Sequence, residues 1–138
     1  MFATSIGVWV GRLASALVVL ILLADAAVAF FRPETLRAEM EATGFPMDMS
    51  LALDLIMLGC AAVYAIPRTA VMGAILVTGF LGGAICAHFR LGQIGSSPQL
   101  ICFGLGILTW GGLWLRDTRV RELLPLQAGV ATLPDNES

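Results

Sequence analysis

Four apolar stretches, each close to the length of a membrane crossing and each closed by proline, glycine or arginine, dominate the chain at 13–31, 47–66, 70–89 and 98–115. A helix needs roughly 20 mostly apolar residues to traverse the hydrocarbon of a bilayer, and each stretch meets that length. The stops are clear. Arg12 precedes the first stretch and Arg32-Pro33 ends it; Gly44-Phe45-Pro46 opens the second; Pro67-Arg68 divides the second from the third. Gly92 and the run Gly95-Ser96-Ser97-Pro98 separate the third from the fourth, and Arg116-Asp117 follows the last. Glycine and proline at these points favour turns over continued helix. The residues are 58% hydrophobic and 13% charged, where soluble domains average roughly 45–50% and about 25%, so lipid is the expected solvent. The expected fold is all-α: an integral membrane four-helix up-down bundle, one domain over 1–126, followed by a mobile polar tail at 127–138.

The N-terminal stretch also imitates a secretory signal, with Ala27-Val28-Ala29 in the place of a cleavage site. Asp25 beside the would-be cut, and an apolar run continuing to Phe31, fit a retained helix better. Four spans bring both termini to one side, together with Arg12, Arg68, Arg116, Arg119 and Arg121, while Arg32, Arg37 and Arg90 fall on the other. Arginine-rich ends stay inside, so both termini are expected in the cytoplasm of a bacterial inner membrane. Trp9, Trp110 and Trp114 on the same side suit an interfacial aromatic belt.

Between the first two spans, residues 33–43 read as a short interfacial helix, with proline at its first turn, Glu34 near its positive end and Gly44 as its C-cap. Leu36 and Met40 share one face; Arg37 and Glu41 form an i,i+4 pair on the other. The segment either partly roofs the bundle or serves as a tether. Beyond Leu115, arginines alternate with Val120, Leu123 and Leu124, a pattern suited to lipid headgroups. In the third span Gly79, Gly83 and Ala87 recur every four residues beside Gly82 and Cys86. The fourth adds Gly104, Gly106, Gly111 and Gly112. Small residues let helices approach closely where lipid gives little hydrophobic drive, so these read as packing faces within the bundle, with contact to another chain as the alternative.

Several functions are excluded by what is missing. A formal charge of −2 gives no reason to expect a nucleic-acid partner. Cys60, Cys86 and Cys102 match neither a disulfide framework nor a zinc site and read as inert buried thiols. One histidine cannot ligate a haem from both sides, and no Cys/His cluster marks a metal centre. There is no phosphate-binding loop, dinucleotide fingerprint or nucleophile elbow. No catalytic residue is assigned, and the chain is not expected to be an enzyme on its own.

An ionisable side chain within the membrane costs about 2.5–3.5 kcal/mol on insertion scales, so each one needs a reason. Asp25, Asp54, His88 and Arg90 are those residues. Counting from their helix ends, the two aspartates lie roughly 10 Å deep in the outer half of the membrane, with His88 and Arg90 nearer the rim. They form the candidate ligand-binding site: a polar pocket beneath the outer loop, where arginine and histidine donate to a carbonyl-bearing or anionic ligand and a carboxylate handles protons. An Asp-Arg pair that only holds the bundle in register is the alternative. His88 and Arg90, two residues apart, point about 200° from each other on an ideal helix, which sets them against sharing one pocket.

Gly11-Arg12-Leu13 leading to Asp25 and Phe31-Arg32-Pro33, then Tyr64-Ala65-Ile66-Pro67-Arg68-Thr69-Ala70, resemble the DoxX-like membrane proteins of bacteria. So do Thr78 to Gly83 running to His88-Phe89-Arg90, and Trp110-Gly111-Gly112-Leu113-Trp114-Leu115-Arg116-Asp117. The resemblance implies a four-helix inner-membrane protein, and the family's namesake is the small subunit of a thiosulfate:quinone oxidoreductase. Many relatives carry lysine after the first-span aspartate, where this chain has Phe30-Phe31-Arg32. The leading expectation is an accessory subunit of a membrane redox system, with quinone or another lipophilic molecule as its ligand. A structural or assembly subunit of a larger membrane complex, or a homo-oligomer, is the second; a small proton or solute carrier is the third.

Overall fold

The computed structural model describes residues 2–123, in which six helices succeed one another: α1 (Phe2–Phe31), α2 (Pro33–Thr43), α3 (Ser50–Ala65), α4 (Ala70–Arg90), α5 (Ser97–Arg116) and α6 (Thr118–Leu123). A 3-10 turn, Met47–Met49, leads into α3, and no strand occurs among the described residues. Four segments, Ser5–Phe31, Met47–Ala65, Ala70–Arg90 and Ser97–Arg116, are long and apolar enough to cross a membrane. The expected polar tail 127–138 lies outside the described residues.

The helix ends follow the stops. Gly44 takes the left-handed conformation, φ 74°, and closes α2 with bonds from its own N–H to the Glu41 carbonyl and from the Phe45 N–H to the Met40 carbonyl, the pairing that ends a helix on a glycine. Gly92 and Gly95, φ 72° and 77°, turn the chain between α4 and α5. α1 departs from expectation by starting at Phe2 rather than near residue 13, which makes it 30 residues long. Arg12 marks where the apolar run begins without interrupting the backbone hydrogen bonds. Its guanidinium lies 5.8 Å from the Trp9 ring centroid, a pairing suited to a membrane edge.

The four spans pack as a ring, α1 on α3, α3 on α4, α4 on α5, and α5 back on α1, while α2 lies against α1. Successive spans run in opposite directions, because the start of α1 meets the end of α5 and the end of α3 meets the start of α4. A Cβ built on Gly11 would lie 2.7 Å from the Gly112 carbonyl oxygen, and one on Gly112 would lie 2.9 Å from Ser15 Oγ. Gly73 is pressed in the same way against the backbone of Tyr64. These are the close approaches that hold the bundle. The small-residue ridge of α4 is not among them: a Cβ on Gly79, Gly82 or Gly83 meets nothing within 4 Å, and the same is true at Gly104, Gly106 and Gly111. The buried side of α4 is instead Ala70, Gly73, Ala74, Val77 and Leu81. Cys86, on the ridge, is likewise exposed rather than buried, although all three thiols are free.

Tyr64 is the pivot at the end of the bundle opposite α2. It is fully buried, its hydroxyl donates to the Thr109 carbonyl at 2.9 Å, and the same oxygen lies 3.0 Å from Ser15 Oγ. One side chain thereby ties α3 to α1 and α5. Arg116 stacks over the Tyr64 ring, 5.2 Å from its centroid, and donates to the Tyr64 carbonyl at 3.4 Å near the end of α3. Arg121 does the same for α5, donating to the carbonyls of Trp114 and Leu115 at 2.9 and 2.7 Å. α6 is held there with Val120 buried.

Overpacking a tight contact costs about 1–3 kcal/mol, so Gly11→Leu and Gly112→Leu should each lower unfolding stability in detergent by that order. Gly83→Leu, which enters open space, should stay within about 0.5 kcal/mol of the parent. Denaturant or thermal unfolding followed by circular dichroism makes the comparison.

Candidate functional site

At the end of the bundle away from Tyr64, α2 folds back beside the gap between the spans and borders a partly open cavity of about 150 Å³. Its walls come from four helices. α1 supplies Asp25, Val28 and Ala29, α3 supplies Leu53, Asp54 and Met57, and α4 supplies Phe80. α2 supplies Thr35, Leu36, Glu39 and Met40. These four positions follow helical spacing, so one face of α2 turns inward. The other face, Pro33, Glu34, Arg37, Ala38 and Glu41, borders a shallow surface depression. Leu36 and Met40 therefore share the face of α2 that lines the cavity, and the short helix partly roofs the bundle.

Asp25 and Asp54 reach the cavity from facing helices, as their similar depth predicts. His88 and Arg90 do not line it. His88 Nδ1 lies 2.9 Å from Gln93 Oε1. Arg90 Nη2 donates to the Thr43 carbonyl at 3.2 Å, at the end of α2. The two side chains thus take different partners, as the angle between them requires. Arg90 is engaged with backbone rather than with a carboxylate.

Glu39 is the member that sequence reasoning passed over. It lies outside the spans, where a charge carries no insertion cost and attracts no notice. The signal was its spacing, four residues after Thr35 and three after Leu36 on the inward face. Partial withdrawal from water under the roof pushes the Glu39 carboxyl up from its ordinary value, the nearby Asp25 carboxylate pushes it further the same way, and His88 pulls it back. Three carboxylates therefore surround one small cavity. Among the described residues no group of His, Cys, Asp and Glu is gathered closely enough to hold a metal ion.

The family model described as the DoxX-like family matches residues 13–111, from the first span into α5. The chain belongs to the DoxX-like family. No curated protein matches it. No solved structure matches it. The matched region of this DoxX-like chain contains every residue lining the cavity, as well as His88 and Arg90. With its four apolar helices, the DoxX-like chain is a small multi-pass integral membrane protein.

The cavity lining determines what it can bind. Carboxylates offer only acceptor oxygens when ionised, and Thr35 is the neutral side chain among the lining residues with a hydroxyl to donate. Val28, Leu36, Met40, Leu53, Met57 and Phe80 make the remainder apolar. In their ionised form the three carboxylates would accept from hydroxyl or ammonium donors and disfavour an anion. The polarity is the reverse of that expected from Arg90 and His88 as donors, because these two bond Thr43 and Gln93 instead.

A carboxyl whose native value is raised binds a proton more tightly when folded than when unfolded, so stability falls as pH rises from the ordinary carboxylate range through the raised native value. Glu39→Gln should flatten that fall and raise the melting temperature at neutral pH. Melting curves of parent and variant from acid to neutral pH measure the difference.

Proposed function

We propose that this DoxX-like protein is a noncatalytic accessory subunit of a membrane redox system whose cavity holds the head group of a lipophilic carrier, the hydroxyl-bearing quinol in preference to the quinone. The observation that carries the reading is the cavity of about 150 Å³, walled by Asp25, Asp54 and Glu39 and otherwise apolar. A quinol donates two hydroxyl hydrogens where ionised carboxylates accept, whereas a quinone's carbonyls would find mainly acceptors, with Thr35 as the neutral donor. The redox setting comes from the family's association with quinone-linked thiosulfate oxidation. Placement in a bacterial inner membrane with both termini in the cytoplasm rests on the five arginines at the end bearing the termini, against three at the other; the cavity then opens near the outer face.

Charge-assisted hydrogen bonds contribute about 1.5–3 kcal/mol, so Asp25→Asn or Asp54→Asn should weaken quinol binding about tenfold to a hundredfold. Titration of a short-chain quinol into protein in nanodiscs, followed by calorimetry, measures this. Equal affinity for quinol and quinone, or equal affinity in parent and both variants, discards the reading.

A second reading has its own observation. The open face of α4, where Gly79, Gly82 and Gly83 meet nothing within 4 Å, leaves a smooth surface for another membrane helix. An assembly subunit predicts that Gly83→Leu removes a copurifying membrane partner while Asp25→Asn keeps it.

A further inference from the structure

Helix α2 walls one side of the partly open cavity yet is fastened to the bundle by little. Met40 is its one buried residue. A single non-helical residue, Arg32, joins it to α1, and Gly44, in the left-handed conformation, releases it into the extended Pro46. Few buried contacts mark an element that opens at low cost. Its inward Glu39 also stands near the Asp25 carboxylate on α1, a like charge across the boundary between roof and wall.

One feature opposes that tendency. The glycine closure of α2 satisfies the carbonyls of Met40 and Glu41 but not that of Thr43, and the last turn of α2 has no basic residue of its own. Arg90, the final residue of α4, supplies both needs from outside: its Nη2 donates to the Thr43 carbonyl at 3.2 Å and brings a positive charge to the negative end of the α2 dipole. Because α4 also walls the cavity through Phe80, this bond ties the roof to the wall.

We propose that α2 is a lid over the cavity and that Arg90 is the positioning residue that holds it shut. Arg90 touches no ligand; it sets how often α2 swings away from Leu53, Asp54 and Met57, the better-covered part of the lining. The charged and titratable groups at this boundary are Glu39 on the lid, Asp25 on α1, Asp54 on α3, and His88 and Arg90 on α4. That the opening admits a ligand rests on the proposed function above. That the helix opens does not.

The test uses full-length protein in nanodiscs. With Cys60, Cys86 and Cys102 replaced by alanine and Leu53→Cys placed in the cavity wall, labelling by a water-soluble maleimide reports uncovering. Arg90→Ala should speed labelling about two- to fivefold, the size expected for a charge at an exposed helix end, and Arg90→Lys should stay near the parent rate. Hydrogen exchange on Arg90→Ala with its natural cysteines should rise in 33–43 alone. Unchanged labelling in Arg90→Ala, or exchange rising in every helix together, overturns the lid. Added short-chain quinol should slow labelling; if it does not while the Arg90 effect persists, the ligand reading fails and the lid stands.

Discussion

Hydrocarbon offers no hydrogen bonds, and that constraint shapes the helix ends of this bundle. The last carbonyls of a helix lack partners within it, and near the membrane they must be satisfied by protein or by interfacial water. Three arginines answer the need at three ends. Arg90 reaches the end of α2, Arg116 the end of α3, and Arg121 the end of α5. Each comes from a different element than the one it caps, or from beyond its end, so each bond also fixes a tertiary arrangement. The basic residues are all arginine, whose several donors on a planar fork suit this work better than the single point charge of lysine.

The same constraint explains the division of the bundle into two ends. Near the termini, Gly11, Gly112 and Gly73 bring helices into contact around the buried Tyr64 hydroxyl, too closely for a side chain at any of the three. Near α2 the spans separate enough to leave a cavity, and its polar lining is acidic. A tight end and an open end in one small bundle give a rigid base with a site above it.

The spans and their stops were legible because hydrophobic length and glycine or proline punctuation act locally. Gly44 as the cap of α2, the turn at Gly95 and the four crossings all follow from neighbours in the chain. Which small residues touch was not legible. The α4 ridge at Gly79 and Gly83 has better spacing than Gly73, yet Gly73 is the one in contact, because helix rotation is set by partners that a single segment does not reveal. The site divided in the same way. Asp25 and Asp54 stood out by their cost in lipid and do meet at the cavity, whereas Glu39, outside the spans, gave no energetic signal. The partners of His88 and Arg90 lay in the loop after α4 and at the end of α2, contacts that only the folded chain brings together.

The account depends on lipid surrounding these helices, with the lid and the termini at opposite faces. Single cysteines at Arg37 and Arg119, placed in a chain without its natural cysteines and labelled by an impermeant maleimide in sealed, oriented vesicles, test this directly. The account predicts that the two positions react from opposite sides of the membrane; reaction of both from the same side would contradict it.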